Sequence, residues 1–270
     1  MLTGWLASLA PVTEEFALMK VVVCVKQIPD PATPYRLEPG TNWLIRPDEQ
    51  ILDDTDRYGV EMGLQLAQAS EGSVTLVSMG PSGNGQGIRQ ALAMGAEKAL
   101  LIEDETLRGS DALTTARAVA AAIKGEGFDL VIAGTESTDG YAGIMPQMIA
   151  EILEVPALTY ATSVEIGDGS VTIHRQTVAG YDIVSAELPA VVTVTAGVVE
   201  PRYPTFKGIM DAKKKPIENL TVVELGLERA PEQTVAAIAD APERTAGKKI
   251  EDDGEAHAEI VSLLAERKVI

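Results

Sequence analysis

Residues 21–25 read VVVCV, an unbroken apolar run dominated by β-branched side chains and closed on both sides by polar residues. So short a run, with no alternating polar face, predicts a strand buried on both faces, as in the interior of a parallel sheet. Three later runs repeat the pattern: SVTLVSM (Ser73–Met79), KALLIE (Lys98–Glu103) and DLVIAG (Asp129–Gly134). Between and after them, Tyr58–Ala69, Gly87–Met94, Ala112–Ile123 and Met145–Leu153 carry apolar residues at helical spacing, and Ser110 and Asp111 are N-cap candidates for the third of these helices. Strands alternating with helices predict an α/β fold, a doubly wound parallel sheet of Rossmann-like type. In such sheets ligands bind beyond the carboxyl ends of the strands, where the strand order reverses.

After Pro156 the pattern changes to LTYATSVEI, SVTIHRQTV, YDIVSAEL and AVVTVTAG, with turns at Gly167-Asp168-Gly169 and Ala179-Gly180. Alternation of this kind predicts an antiparallel hairpin extension of the sheet. Beyond Val199 the chain is rich in proline and lysine, and from about Asn219 to Ile270 it is expected to form a C-terminal arm for a partner. The predicted organisation is a leader over 1–18, an α/β domain with its extension over 19–218, and the arm over 219–270.

Composition narrows the function. The chain has 270 residues and a net charge of −18, which disfavours nucleic acid and anionic membranes as partners. No apolar run is long enough for direct membrane insertion. Cys24 is the single cysteine, so an internal disulfide is impossible and a reducing, cytoplasmic location is expected. Cys24 reads as a buried inert thiol and His174 as a sheet side chain. With His257 the only other histidine, no hydrolytic or acid–base catalytic site is assembled, and no metal site is expected.

Two glycine-rich segments follow strands. GPSGNGQG (Gly80–Gly87) lacks the lysine of an NTPase loop and the third glycine of a dinucleotide fingerprint, leaving a strand-to-helix turn or backbone amides that touch a nucleotide. AGTESTDGYAGIMPQMIAE (Ala133–Glu151) runs from a strand's carboxyl end into a helix start, where amides and small residues favour a phosphate. The lysines Lys213–Lys215 form a local basic patch in an acidic chain, either a solvated face or a meeting point for an acidic partner.

Taken with IRQALAMGA, HRQTVAGYDIVSAELPAVVTV, EPRYPTFKGIMDAKKKPIE and ERTAGKKI, these segments resemble the electron-transfer flavoprotein beta subunit from about Met19 to Ile270. The resemblance implies a heterodimer with an alpha subunit that holds most of the redox-active FAD, and AMP as a structural nucleotide in this subunit. AMP would contact Cys24, the helix start Asp53, Asp54, Thr55 and Asp56, Met79, and the stretch Ser137, Thr138, Asp139, Gly140, Tyr141, Ala142, Gly143, Ile144, Met145, Pro146, Gln147 and Met148. Where the family commonly has Asn-Pro, this chain has Asp53-Asp54, and carboxylates there would repel a phosphate unless they face ribose or base. A partner-recognition segment is implied at Tyr203, Pro204, Thr205, Phe206, Lys207, Gly208, Ile209 and Met210, with Phe206 as apolar anchor for acyl-CoA dehydrogenases and other flavin dehydrogenases. Electrons would pass to the electron-transfer flavoprotein quinone oxidoreductase of a membrane. Two alternatives stand: a bifurcating beta subunit, with a second FAD in place of AMP and use of NADH, and a stand-alone nucleotide-binding sensor.

Overall fold

The computed structural model describes residues 18–227, 233–239, 241–242, 247, 249–252 and 254–270. The leader expected at 1–18 lies outside the described residues except for Leu18, as does most of the ERTAGKKI string. The chain divides into two units, one through Val235 and one from Ala236.

The first unit contains β1 (Lys20–Cys24), β2 (Gln27–Ile28), β3 (Ile51–Leu52), α1 (Asp54–Ala69), β4 (Ser73–Met79), α2 (Gln86–Met94), β5 (Lys98–Ile102), α3 (Ala112–Glu126), β6 (Leu130–Gly134) and α4 (Met145–Leu153). It continues through β7 (Ala157–Gly167), β8 (Ser170–Thr177), β9 (Gly180–Glu187), β10 (Ala190–Val194), α5 (Phe206–Ala212) and β11 (Ile217–Leu220). The main sheet has nine strands in the order β11-β5-β4-β1-β6-β10-β7-β8-β9, and β2 pairs with β3 in a separate antiparallel ribbon.

Alternate residues of β1 serve opposite layers, as strand geometry requires. Val21 and Val23 pack with Val60 and Leu64 of α1 and Ile88 and Leu92 of α2, whereas Val22 and Cys24 pack with Val119 and Ile123 of α3 and Ile149 of α4. This is the doubly wound architecture read from the sequence. Each fully buried aliphatic side chain contributes about 1.5–3 kcal/mol. Helix α1 lies so close to β1 that a Cβ on Gly63 would come within 2.8 Å of Val23, so glycine sets the depth at which that helix rests.

One expectation is corrected. AVVTVTAG is not a further antiparallel strand: β10 lies between β6 and β7 and runs parallel to both. All five of its residues are buried, and a strand covered on both faces needs a continuous apolar run. The antiparallel part is confined to β7, β8 and β9, whose burial alternates or fades toward the β9 edge. His174 sits in β8 and stacks on Tyr181 of β9 with centroids 4.4 Å apart.

The α/β unit reaches beyond the expected boundary at 218–219. Strand β11 runs to Leu220 beside β5, and Val222, 9% exposed, packs in the layer of α3 and α4 with Leu225 and Leu227 beside it. The described part of the second unit carries α6 (Ala256–Glu266), none of whose residues is buried.

Candidate functional site

Strands β4 and β6 flank β1 on opposite sides, so the strand order reverses at β1. A cleft of about 250 Å³ opens at the carboxyl ends of these three strands, just under the range of about 300–1,000 Å³ usual for small-molecule sites. Of the residues expected at a nucleotide, Cys24, Asp56, Met79, Ser137, Gly140, Ala142, Gly143, Met145 and Pro146 line it. Val77, Val119 and Ala133 extend its apolar wall. Lys26, Ser110, Asp111 and Thr115 line it as well and were not assigned to it from the sequence. The position of Lys26, the first charged residue after the VVVCV strand, was the available signal.

Asp53 and Thr138 stand behind the cleft. Asp53 is fully buried and caps α1, its Oδ1 accepting from the Thr55 amide at 3.1 Å and the Thr55 hydroxyl at 2.9 Å. Its Oδ2 accepts from the amide of Thr138 at 2.7 Å and its hydroxyl at 3.0 Å. One carboxylate therefore joins the start of α1 to the loop after β6, and both its oxygens are engaged away from any ligand. Asp54 occupies the first helical position, its side chain 76% exposed and paired with Arg57 at 3.1 Å. Asp53-Asp54 thus fills two capping roles, Asp53 as the N-cap and Asp54 at the position after, where proline is also favoured. The Asp53 backbone, φ −57° and ψ 129°, already suits a following proline. Asp54→Pro is accordingly expected to leave stability unchanged or raise it by up to about 1 kcal/mol in a urea titration.

Asp139, its side chain 1% exposed, bridges two cations: Lys26 Nζ at 2.6 Å and Arg46 Nη2 at 2.6 Å. Lys26 also donates to the Ser137 hydroxyl at 3.2 Å, and Arg46 to the Gln27 carbonyl at 3.2 Å. Burial opposes ionisation of Asp139, but Lys26 and Arg46 outweigh it and hold the carboxyl below the usual carboxylate range. Asp56 behaves oppositely. Burial first, and then the charge of Asp53, push its carboxyl well above the ordinary range, although the Lys26 amide donates to it at 2.6 Å. Cys24 is pushed up to about 12 by burial and by Asp56, which makes it the inert thiol expected.

The remaining predicted residues divide by position. Tyr141 and Ile144 are exposed on the loop, Tyr141 with φ 47°, and Met148 packs against the core layer of α3. Gln147 lies in the first turn of α4 with a buried Oε1 that accepts no hydrogen bond. Helix α4 receives no side-chain cap, in contrast to α3, where Asp111 accepts from the Thr114 amide at 2.7 Å. The uncapped first turn of α4 offers amide donors and the positive end of a helix. Gly134 adds a close approach, because a Cβ there would fall 3.1 Å from Asp56 Oδ1. An apolar wall, small residues, a lysine and an uncapped helix start together fit an adenylate.

The other glycine segment is a structural turn. Gly80, Gly83 and Gly85 adopt positive φ, and the loop's donors are met internally: Ser82 by Glu103 at 2.7 Å, Gln86 by Asn84 at 3.0 Å and Ile88 by Gln27 at 3.2 Å. None of Gly80–Gly87 lines the cleft.

On the far side of α2, the segment expected to meet a partner is partly helical. Thr205 caps α5 by accepting from the Gly208 amide at 3.0 Å. Tyr203 and Phe206 are 84% and 82% exposed, with Ile209 and Met210 about half exposed beside them. Lys207, Lys213 and Lys214 are exposed. Lys215 instead turns inward and donates to the carbonyls of Leu92 at 3.0 Å and Ala96 at 2.7 Å, so the basic patch is shorter than the lysine run.

Among the described residues, no helix is long and apolar enough to cross a membrane. The sequence pattern of the electron transfer flavoprotein domain matches residues 41–225. The electron transfer flavoprotein subunit beta of Mycobacterium tuberculosis (strain ATCC 25618 / H37Rv) is 41% identical over 266 residues, covering 94% of this chain and 100% of the relative. The corresponding subunit of Megasphaera elsdenii is 36% identical over 256 residues, covering 88% and 94% respectively. The caffeyl-CoA reductase-Etf complex subunit CarD of Acetobacterium woodii is 32% identical over 264 residues, covering 93% and 100%. With the doubly wound sheet, the cleft at its reversal point and similarity along nearly its whole length, the chain belongs to the electron transfer flavoprotein family, as a beta subunit.

Proposed function

We propose that this chain pairs with an alpha subunit to form an electron carrier, and that its own cleft holds AMP as a structural nucleotide. The observation that carries the reading is the cleft itself. Its small volume suits an adenylate, Cys24, Val77, Met79 and Val119 provide an apolar slot for a base, and Lys26 and the uncapped first turn of α4 provide positive charge and donors for a phosphate. Ser137 and Gly140 would allow that phosphate to approach the loop closely.

FAD, held mainly by the alpha subunit, supplies the redox chemistry of the pair. The contribution of this chain is to stabilise the carrier and to present a docking surface. Tyr203–Met210 offers exposed aromatic area beside Lys207, a pattern that suits an apolar pocket in a flavin dehydrogenase, with charge steering the encounter. Acyl-CoA dehydrogenases are the proposed donors and a membrane quinone oxidoreductase the proposed acceptor.

The test is to co-express both subunits, denature the purified complex and quantify the released nucleotides. One FAD and one AMP per heterodimer is expected, whereas two FAD and no AMP would replace this reading by the bifurcating one. For the docking segment, Phe206→Ala is expected to slow reduction by the dehydrogenase about tenfold or more, the scale of an aromatic hot spot, with flavin content unchanged. Loss of flavin in that variant would make Phe206 structural instead.

A further inference from the structure

We infer that the ion pair between Arg202 and Glu61 is the positioning element that holds the exposed docking face of residues 203–210 in one geometry before a partner arrives. The inference rests on the proposed docking role of that segment, but assigns a role to two residues outside it.

The segment has almost no core of its own. Within α5 only Ala212 is buried, and the helix spans seven residues, too short to be stable by itself. Its geometry must be imposed from outside. At its carboxyl end, Arg89 of α2 donates to the carbonyls of Ala212 and Lys215, each at 2.6 Å, while Lys215 donates back to the carbonyls of Leu92 and Ala96. Gly208 presses on α2 so closely that a Cβ would lie 2.7 Å from the Ala93 carbonyl.

At the amino end the only comparable anchor among the described residues is Arg202. It reaches the Glu61 carboxylate three times: the guanidinium Nε at 2.6 Å, Nη2 at 2.9 Å and the backbone amide at 3.2 Å. Glu61 lies in the middle of α1 with its side chain 4% exposed, and Gln65 donates to it at 2.8 Å. A bidentate fork of this kind fixes direction as well as distance. Pro201 and Pro204 flank the anchored residue, and their fixed φ leaves few free torsions between Arg202 and the cap at Thr205. A rotation at Arg202 therefore passes along a stiff arm to Tyr203 and Phe206. The anchor also stands on the helix whose first turn meets the nucleotide cleft.

If the arm were free, ordering it would fall on the docking event and weaken encounter without altering electron transfer in the docked complex. The experiment uses the complete heterodimer and a flavin dehydrogenase as saturable partner. Arg202→Met is expected to raise KM for the dehydrogenase about tenfold, the scale of ordering a few side chains on binding, with kcat within about twofold and flavin and nucleotide content unchanged. Arg202→Lys, which keeps the charge but not the fork, should fall between. Because Arg202→Met leaves Glu61 buried without its partner, the double variant Glu61→Gln/Arg202→Met serves as a second test: it should regain thermal stability but not the low KM. Wild-type KM in the double variant, or a loss of kcat in step with lost flavin, would overturn the positioning role. A Phe206→Ala protein that docks normally would instead remove the docking reading on which the inference rests.

Discussion

Asp53→Ala is expected to destabilise the chain by about 3–4 kcal/mol, a large part of the roughly 5–15 kcal/mol available to a typical domain. The magnitude follows from what the carboxylate does at once. Loss of an N-cap costs about 1 kcal/mol, and hydrogen bonds to a charged group about 1.5–3 kcal/mol each. Asp53 supplies the cap through Thr55 and two bonds to Thr138, and alanine would leave the Thr138 amide without that acceptor. Part of the loss is returned because Asp53 no longer raises the cost of ionising Asp56. The check is a shift in the urea midpoint at constant slope. Since the same carboxylate joins α1 to the loop bordering the cleft, the proposed AMP should also be mostly lost from the purified heterodimer. Asp53→Asn keeps an acceptor for the Thr55 cap but turns an NH2 donor toward the Thr138 amide where Oδ2 accepted, so it is expected to cost about 2–3 kcal/mol, less than alanine by the cap alone. Equal losses in both variants would mean that the acceptor for Thr138, and not the Thr55 cap, holds the junction.

Asp139→Ala should cost about 2–3 kcal/mol at pH 7, less than the full penalty for breaking a buried pair because Lys26 and Arg46 remain 33% and 24% exposed and regain water. The pH dependence separates this contribution from simple packing. A carboxyl held below its unfolded value, about 3.9, stabilises the fold above that pH, and the stabilisation disappears as pH falls through the folded value. The gap between wild type and Asp139→Ala should therefore be full at pH 6–7 and shrink below about pH 4. Asp56 has the opposite sign: its raised carboxyl favours folding at low pH and loses that contribution as pH rises from the unfolded value through the folded one. Urea midpoints at pH 3, 5 and 7 resolve the two, and a gap independent of pH would assign Asp139 a purely steric role.

The parallel core was legible because its strands are unbroken apolar runs, and the cleft followed from the rule that ligands sit where strand order reverses. The place of β10 was not. AVVTV follows three alternating strands in sequence, and only its complete burial distinguishes an interior parallel strand from another leg of the meander. The side-chain junctions were equally hidden. Lys26 and Asp139 are 113 residues apart, Asp53 and Thr138 85, and Glu61 and Arg202 141, so neither local spacing nor periodicity brings them together. Lys26 escaped assignment for that reason, although it directly follows the strand that decided the fold. At Asp53-Asp54 the chemistry was readable but its direction was not: two carboxylates at a helix start suggested repulsion of a phosphate, whereas one is consumed in capping and the other faces solvent.

The insertion of β10 between β6 and β7 also imposes an order of events during synthesis. Until residue 194 has left the ribosome, β6 has β1 on one side and nothing on the other, while β7 can close its hairpin with β8 but cannot join the sheet. The growing chain therefore carries an apolar edge, Leu130–Gly134, for the time needed to make some sixty further residues, which at about 5–20 residues per second is several seconds. An unpaired edge of that kind invites pairing with other chains. Yield of this subunit should accordingly depend on elongation rate and on chaperones that shield strand edges, more than on the stability of the finished fold.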